Sequence, residues 1–167
     1  MRKIFVLILI SFLFQSCFYI HKARDIEVYE LDQIKNENSS IFVFEYTGNR
    51  TNFEKKSKSF FKIKTSYMPQ YFTTDQLFPD ENLNVFIYSS RDKDVMVNLL
   101  GFIIKESLKS DDENLNRKNE DPHPDTTYYN YLHVQVTDDD GKDVLSPPSM
   151  KSKAIINKLL RYKNYLN

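Results

Sequence analysis

The sequence predicts an α+β fold in which β-structure dominates, an antiparallel sheet or small β-sandwich of about six or seven strands with one C-terminal amphipathic helix. Short runs rich in β-branched and aromatic residues recur along the chain, and turn-forming residues separate them. Near the C-terminus, apolar residues recur at helical spacing. With 41% hydrophobic residues and only 3 Gly and 6 Pro, the composition is that of a folded domain.

In the first half of the chain, the pattern predicts three strands. Ile26–Tyr29 begins the first, and Ile41–Tyr46 is a dense β-branched and aromatic run that ends in turn-forming residues at 47–50. Alternation predicts a half-buried strand over Phe60–Thr65. Residues 67–80 contain two Pro and several turn formers, so we expect a long connection there.

The middle of the chain predicts a hairpin. Its arms are Leu83–Ser89 and Val95–Ile104, and the polar run Ser90–Asp94 supplies the turn. A helix over 95–108 is the main alternative, but the β-branched residues and Gly101 favour a strand.

A charged, nearly apolar-free stretch at 109–127 predicts a flexible surface loop. A strand over Tyr128–Thr137 follows, then a turn at Asp138–Gly141 and a short strand around Val144. The acidic turn does not fit a helix-loop-helix calcium loop, because Val136 falls on the first ligand position.

The predicted C-terminal helix starts after Ser149, a favourable N-cap residue. Its apolar stripe is formed by residues spaced by four, three and four: Ile155, Leu159, Tyr162 and Leu166. Basic residues occupy much of the remaining surface, so we expect the helix to lie on the sheet.

The N-terminus has the features of an export signal. Met1–Lys3 is a short basic region, and Ile4–Phe14 is an apolar run too short for a membrane-spanning helix, which needs about 20 apolar residues. The small Ser16 then precedes Cys17, an arrangement that resembles the lipobox of bacterial lipoproteins. The two residues before Ser16 depart from that pattern, which prefers Leu and a small residue there.

This resemblance implies that residues 1–16 are a signal peptide and that Cys17 receives diacylglycerol and, after cleavage, an acyl chain on its new amine. Phe18 stands where Asp would retain a lipoprotein in the inner membrane, which implies the outer membrane. No acidic run follows Cys17, so we expect the domain to face the periplasm. A signal cleaved without lipidation and an uncleaved anchor running on through residues 18–20 are the alternatives.

Cysteine content and charge exclude several classes of protein. Cys17 is the only Cys, so the chain contains no disulfide and no Cys-based metal or redox motif. Without Arg2 and Lys3, the mature chain has 21 basic and 23 acidic residues, which gives no electrostatic reason to bind nucleic acid. We expect a lipidated Cys and tether at 17–25 and a single globular domain at 26–167.

One strand face is a candidate ligand-binding surface. Alternation over Tyr128–Thr137 places Tyr129, Tyr131 and His133 together on the face opposite to the apolar one. Such an aromatic and polar surface can hold a sugar or a peptide. An outer sheet face, or one covered by the C-terminal helix, is the structural alternative.

No enzyme motif is present: the chain has no nucleophile elbow, zinc-protease motif or glycine-rich phosphate loop. Asp121, His123 and Asp125 form the most metal-like cluster, but the prolines around His123 favour a solvated loop, and no metal or cofactor is predicted. A hydrolase would need these residues to converge with His133 in a cleft.

The sequence therefore favours a non-enzymatic envelope lipoprotein that presents a protein-binding domain. It would serve as a component of a secretion or envelope complex or neutralise a toxin, with an envelope protein as its partner. The alternative is a lipoprotein that binds a glycan or small ligand on Tyr129, Tyr131 and His133.

Overall fold

The computed structural model describes residues 17–34, 39–98, 125–146 and 148–167. Within these ranges it has six strands and two helices, and the α+β, β-dominated antiparallel fold with a C-terminal helix is confirmed. The elements are β1 (Cys17–His21), β2 (Glu30–Gln33), β3 (Ser40–Glu45), α1 (Arg50–Phe61), β4 (Tyr71–Thr74), β5 (Leu83–Asn98), β6 (Asp125–Thr137) and α2 (Met150–Leu166). The sheet order is β1-β5-β6-β3-β2, and β4 pairs with β5.

The chain forms two compact units. One contains the described residues of 1–23 and 93–128, and the other contains 24–92 and 129–167. In the first unit β1 pairs antiparallel with the end of β5, from Cys17 opposite Asn98 to His21 opposite Val95. The segment expected to be a tether, 17–25, thus includes a strand. The second unit holds both helices, β2, β3, β4 and the parts of β5 and β6 at 83–92 and 129–137.

The main core of the second unit lies between the helices and one face of its sheet, here called the helical face. The predicted stripe of α2 is confirmed, since Ile155, Leu159 and Tyr162 are fully buried and Leu166 is nearly so. Ser149 caps the helix as expected, and its side chain accepts a hydrogen bond from the backbone N–H of Ser152. The sheet contributes alternate residues of β3, β4, β5 and β6: Phe42, Phe44, Phe72, Leu83, Val85, Ile87, Leu132, Val134 and Val136.

The strand predicted over Phe60–Thr65 is wrong, because this region contains the end of α1. Asn49, read as part of a turn, caps this helix by accepting a hydrogen bond from the backbone N–H of Asn52 at 2.8 Å. The helix ends at Phe61, and Lys62 adopts the left-handed conformation, with φ 54°. Packing against α2 stabilises α1, although few of its residues are apolar.

The hairpin predicted in the middle of the chain is also wrong, since β5 is continuous from Leu83 to Asn98. The alternative helix over 95–108 is wrong at 95–98, because these residues belong to β5. Residues 99–108, which contain the remainder of both predictions, lie outside the described residues. The polar run at its centre bonds to neighbouring segments instead of forming a turn. The backbone N–H of Arg24 donates to Asp92 at 3.1 Å, and Arg91 donates to Asn130 on β6 at 3.1 Å.

Other boundaries differ less. The first predicted strand, at Ile26–Tyr29, is displaced to β2, and the long connection at 67–80 contains β4. The strand over Tyr128–Thr137 is confirmed as part of β6, and the turn at Asp138–Gly141 is confirmed with φ 77° at Gly141. Around Val144 there is an isolated bridge between Thr137 and Asp143. The loop expected at 109–127 lies outside the described residues up to 124, and residues 125–127 belong to β6 instead.

Candidate functional site

The face of the sheet opposite to the helices, here called the second face, carries the unusual polar and aromatic groups. Strand alternation places Phe86, Tyr88 and Ser90 of β5 on this face, because Val85 and Ile87 point into the main core. On β6, Tyr129, Tyr131 and His133 share the second face as predicted, while the residues between them face the helices or lie at the rim. His133 lies opposite Val43 of β3, and Tyr131 lies opposite Glu45.

Residues 24–29, here called the crossing segment, cover part of the second face. The segment starts beside Asp92 of β5 and leads to β2, which pairs with β3. Ile26 packs with Ile41, Val43 and Tyr131 to form a small second core. Tyr131 is 3% exposed, and its hydroxyl donates to the backbone carbonyl of Arg24. Tyr131 is therefore a packing residue that holds the crossing segment on the sheet.

An ion cluster fixes the ends of the crossing segment. The guanidinium of Arg24 donates two hydrogen bonds of 2.6 Å to the carboxylate of Asp32 and one of 3.0 Å to Glu30. This pairing keeps the pKa of the Asp32 carboxyl below its ordinary value and raises the pKa of Arg24. Because Arg24 opens the crossing segment and Asp32 lies in β2, the cluster closes the segment onto the sheet edge.

His133 lies at the margin of the covered area. Its ring stacks on Tyr88, with centroids 4.5 Å apart and planes within 6°. Its Nε2 lies 2.7 Å from the hydroxyl oxygen of Ser90, and its Nδ1 is buried without a hydrogen-bond partner among the described residues. Burial lowers the pKa of His133, while the nearby Asp32 carboxylate raises it and Arg24 lowers it further.

The contact between Ser90 and His133 invites comparison with a nucleophile and its base. That chemistry requires Nε2 to accept the serine proton while Nδ1 donates to an orienting acceptor. No described residue accepts from Nδ1, and the carboxylate of Asp32 is bound by Arg24. The tautomer that avoids a buried unpaired donor carries its proton on Nε2 and donates to Ser90. The described residues therefore show a contact between Ser90 and His133 without the orienting acceptor of a catalytic triad.

Because Nδ1 of His133 is buried, we expect the stability of the protein to depend on pH. The native pKa of His133 lies below its ordinary value of 6.5, so the unfolded chain takes up a proton at higher pH than the folded chain. The contribution of His133 to the free energy of unfolding should be constant above about pH 6.5 and decrease as pH falls from there toward the lower native pKa. Asp32 contributes separately, because its stabilising effect is lost only below its ordinary value of 3.8.

Urea unfolding of wild type and His133→Gln at a series of pH values tests this prediction. We expect the variant to lose the decrease in stability that wild type shows as pH falls below about 6.5. Equal slopes for the two proteins in this range would contradict the assignment.

Beyond the crossing segment, the second face bears a row of rings, here called the aromatic strip: Tyr71, Phe86, Tyr88 and His133. Tyr71 of β4 lies directly opposite Phe86 of β5. The rings of Phe86 and Tyr88 are 5.6 Å apart, and Tyr88 stacks on His133. Exposure rises along the row, to 37% for Phe86 and 61% for Tyr71. The strip therefore presents aromatic surface supported by stacking at one end.

The structure brings together the three predicted ligand-binding residues but gives them different environments. Tyr131 is buried, whereas Tyr129 and His133 are half-buried. Cys17 is the first residue of β1, and residues 1–16 lie outside the described part. Asp121 and His123 also lie outside it, so the solvated loop expected there stays a prediction, and Asp125 is the first residue of β6.

Sequence reasoning missed Tyr71 and Phe86. Tyr71 fell in the stretch read as a connection, and Phe86 in a hairpin arm whose faces were not sorted. The alternation of Leu83, Val85 and Ile87 with polar and aromatic residues was the available signal.

Comparison with protein-family models, curated proteins and solved structures finds no match to this chain. In the described ranges, no helix has the length and apolar character needed to cross a membrane. The same ranges contain no group of three or more His, Cys, Asp or Glu side chains placed to hold a metal ion.

Proposed function

We propose that this protein is a non-enzymatic lipoprotein, anchored to the outer membrane through Cys17, whose domain binds an envelope protein through the aromatic strip. The observation that carries the binding proposal is the exposed cross-strand pair Tyr71 and Phe86 on the second face. Aromatic residues are enriched at protein interfaces, where they supply large contact area at low entropic cost. Cys17 and the export signal before it support the location.

The rings of the aromatic strip pack on one another, which distinguishes the strip from apolar residues that are exposed singly. Phe86 packs against Tyr88, and Tyr88 against His133, so the rings are ordered before a partner arrives. An ordered aromatic surface loses little conformational entropy on binding. Among the described strands, β4 has β5 as its neighbour, so the exposed pair lies next to a sheet edge. A partner segment in extended conformation could pair there and place its side chains on Tyr71.

Binding of a glycan is the second candidate, and the exposed ring of Tyr71 favours it. Sugar recognition also needs polar groups beside the rings. The amide of Asn84, which lies opposite Thr73 on the same two strands, accepts a hydrogen bond from Thr73 and donates one to the carbonyl of Asp138. Because this amide is already engaged, we place the protein partner first.

The proposal is tested by crosslinking in cells, followed by purification from detergent-solubilised envelope. The variant Tyr71→Ser/Phe86→Ser removes both exposed rings, and Tyr165→Ser removes a comparably exposed tyrosine from α2. We expect wild type and Tyr165→Ser to recover the same partner and the double variant to recover at least about tenfold less, as for loss of two interface hot spots.

Undiminished recovery by a folded double variant would contradict the role of the strip. Thermal unfolding of each variant shows that it is folded. If no protein is recovered by wild type and a glycan array shows binding that depends on both rings, the second candidate replaces the first.

A further inference from the structure

The two helices and their flanking residues carry nearly half of the basic residues of a chain with no net charge, but only one of its acidic residues. Residues 50–64 include six Lys or Arg and one Glu, and residues 149–167 include five Lys or Arg and no acidic residue. Of the chain's 23 basic and 23 acidic residues, these segments hold 11 and one, which leaves 12 basic and 22 acidic elsewhere. Although the whole chain has no net charge, its basic and acidic residues are therefore strongly separated along the sequence.

The fold places both segments in one layer. The two helices pack together through Phe60, Phe61 and Tyr162 and bury their inner sides on the helical face of the sheet. Lys55 lies on the side of α1 opposite to the buried Ser57 and Phe61, and Lys62, which follows the end of this helix, is also exposed. In α2, Lys153 and Arg161 are exposed on the side away from its buried stripe.

Few of these cations are neutralised within the fold. Arg50 pairs with Glu54 and Lys151 with Glu81, while Lys56 and Lys58 donate to backbone carbonyls. The other seven form no ion pair with a described residue, and we call them the basic layer: Lys55, Lys62, Lys64, Lys153, Lys158, Arg161 and Lys163. The apolar stripe of α2 is buried in the core, which leaves the basic layer on the outer side of the helices.

We propose that the basic layer binds the anionic headgroups of the membrane to which the protein is anchored. This inference rests on the anchoring part of the proposed function and is independent of the aromatic strip. Six residues separate Cys17 from Arg24, and a chain of this length spans at most about 25 Å. An anchored domain is therefore held close to the bilayer, where clustered Lys and Arg are attracted to anionic lipid. Since the acyl chains already retain the protein, the basic layer would orient the domain.

The same orientation would leave the aromatic strip accessible to a partner. The helices cover the helical face, whereas the strip is on the second face of the same sheet. A domain that rests on its helices presents the opposite sheet face away from the bilayer, toward a partner in the periplasm.

The test uses purified, lipidated full-length protein reconstituted on vesicles. The chain contains no Trp, so Asn164→Trp introduces a single fluorophore at an exposed position on the outward side of α2. Energy transfer from this Trp to a dansyl headgroup lipid reports the approach of the helix to the surface. Vesicles are made of phosphatidylcholine alone or of equal parts phosphatidylcholine and phosphatidylglycerol.

We expect transfer to be at least about twofold greater on the anionic vesicles at about 0.05 M salt, and to fall to the neutral-vesicle level at about 0.5 M salt. Adding Lys55→Glu/Arg161→Glu should abolish this difference. The matched variant Lys22→Glu/Lys142→Glu, which reverses two exposed lysines outside the layer, should retain it.

Equal transfer on both vesicle types, or equal loss in both double variants, would overturn the proposal. Failure of the anchor gives a different result, because the protein would then not sediment with neutral vesicles. Sedimentation with anionic vesicles would still report on the basic layer in that case, with the same two double variants as controls.

Discussion

Replacing Tyr162 with alanine should lower the free energy of unfolding by about 3–5 kcal/mol. Tyr162 is fully buried, and its ring lies 4.8 Å from Phe61, 5.0 Å from Phe60 and 6.2 Å from Phe44. It thus joins both helices to the sheet. Its removal leaves a cavity where three elements meet, and relaxation of any one of them cannot fill it.

The hydroxyl of Tyr162 allows a finer test of the same contact. It lies 2.7 Å from the hydroxyl of Ser57, which is also fully buried, and burial raises the pKa of Tyr162. Tyr162→Phe should cost about 1–3 kcal/mol because it leaves the Ser57 hydroxyl unpaired, and Tyr162→Phe/Ser57→Ala should recover part of this loss. Chemical denaturation of the four proteins measures these values. Additive losses in the double variant would contradict the packing of α1 on α2.

Replacing Cys17 with alanine should abolish lipid attachment completely, because acylation requires the thiol and cleavage follows it. We expect wild type labelled with a palmitate analogue to carry label and to start at Cys17 by mass spectrometry. The variant should carry no label, keep residues 1–16 and be lost from the outer-membrane fraction. Ser16→Ala, which keeps a small residue before the Cys, should behave as wild type.

The other interpretations of the N-terminus give distinct results. A signal cleaved without lipidation predicts unlabelled wild type that lacks the leader. An uncleaved anchor predicts unlabelled wild type that retains residues 1–16. Either outcome would remove the lipid anchor from the proposed function.

Regular patterns made part of the fold predictable. The stripe of α2 and the alternation of β6 follow from burial on one side of each element, so the sequence records them directly. These two elements, with Ile41–Tyr46, suffice for the fold class.

The failures have a common physical cause. In α1 the buried positions include Ser57, whose hydroxyl is satisfied by a residue 105 positions away. In β5 the polar centre is stabilised by Arg24 and Asn130, which are remote in sequence. In both cases tertiary contacts override a local pattern that points to a strand or a turn.

The candidate site was predictable only in part, for the same reason. Alternation correctly placed Tyr129, Tyr131 and His133 on one face. It could not indicate that residues 24–29 would cross this face and bury Tyr131, because that depends on the Arg24 cluster with Glu30 and Asp32. Nor could it pair Tyr71 with Phe86, since β4 was not recognised as a strand.

Site-specific photocrosslinking asks whether the aromatic strip contacts a partner in the cell. Tyr71 or Phe86 is replaced with the photoreactive residue benzoylphenylalanine in the lipidated protein, and Tyr165 is replaced in the same way as a control on the helices. Illumination of intact cells should link the same envelope protein to positions 71 and 86 and not to position 165. A folded, lipidated protein that crosslinks to a partner from position 165 and from neither position of the strip would contradict this role of the strip.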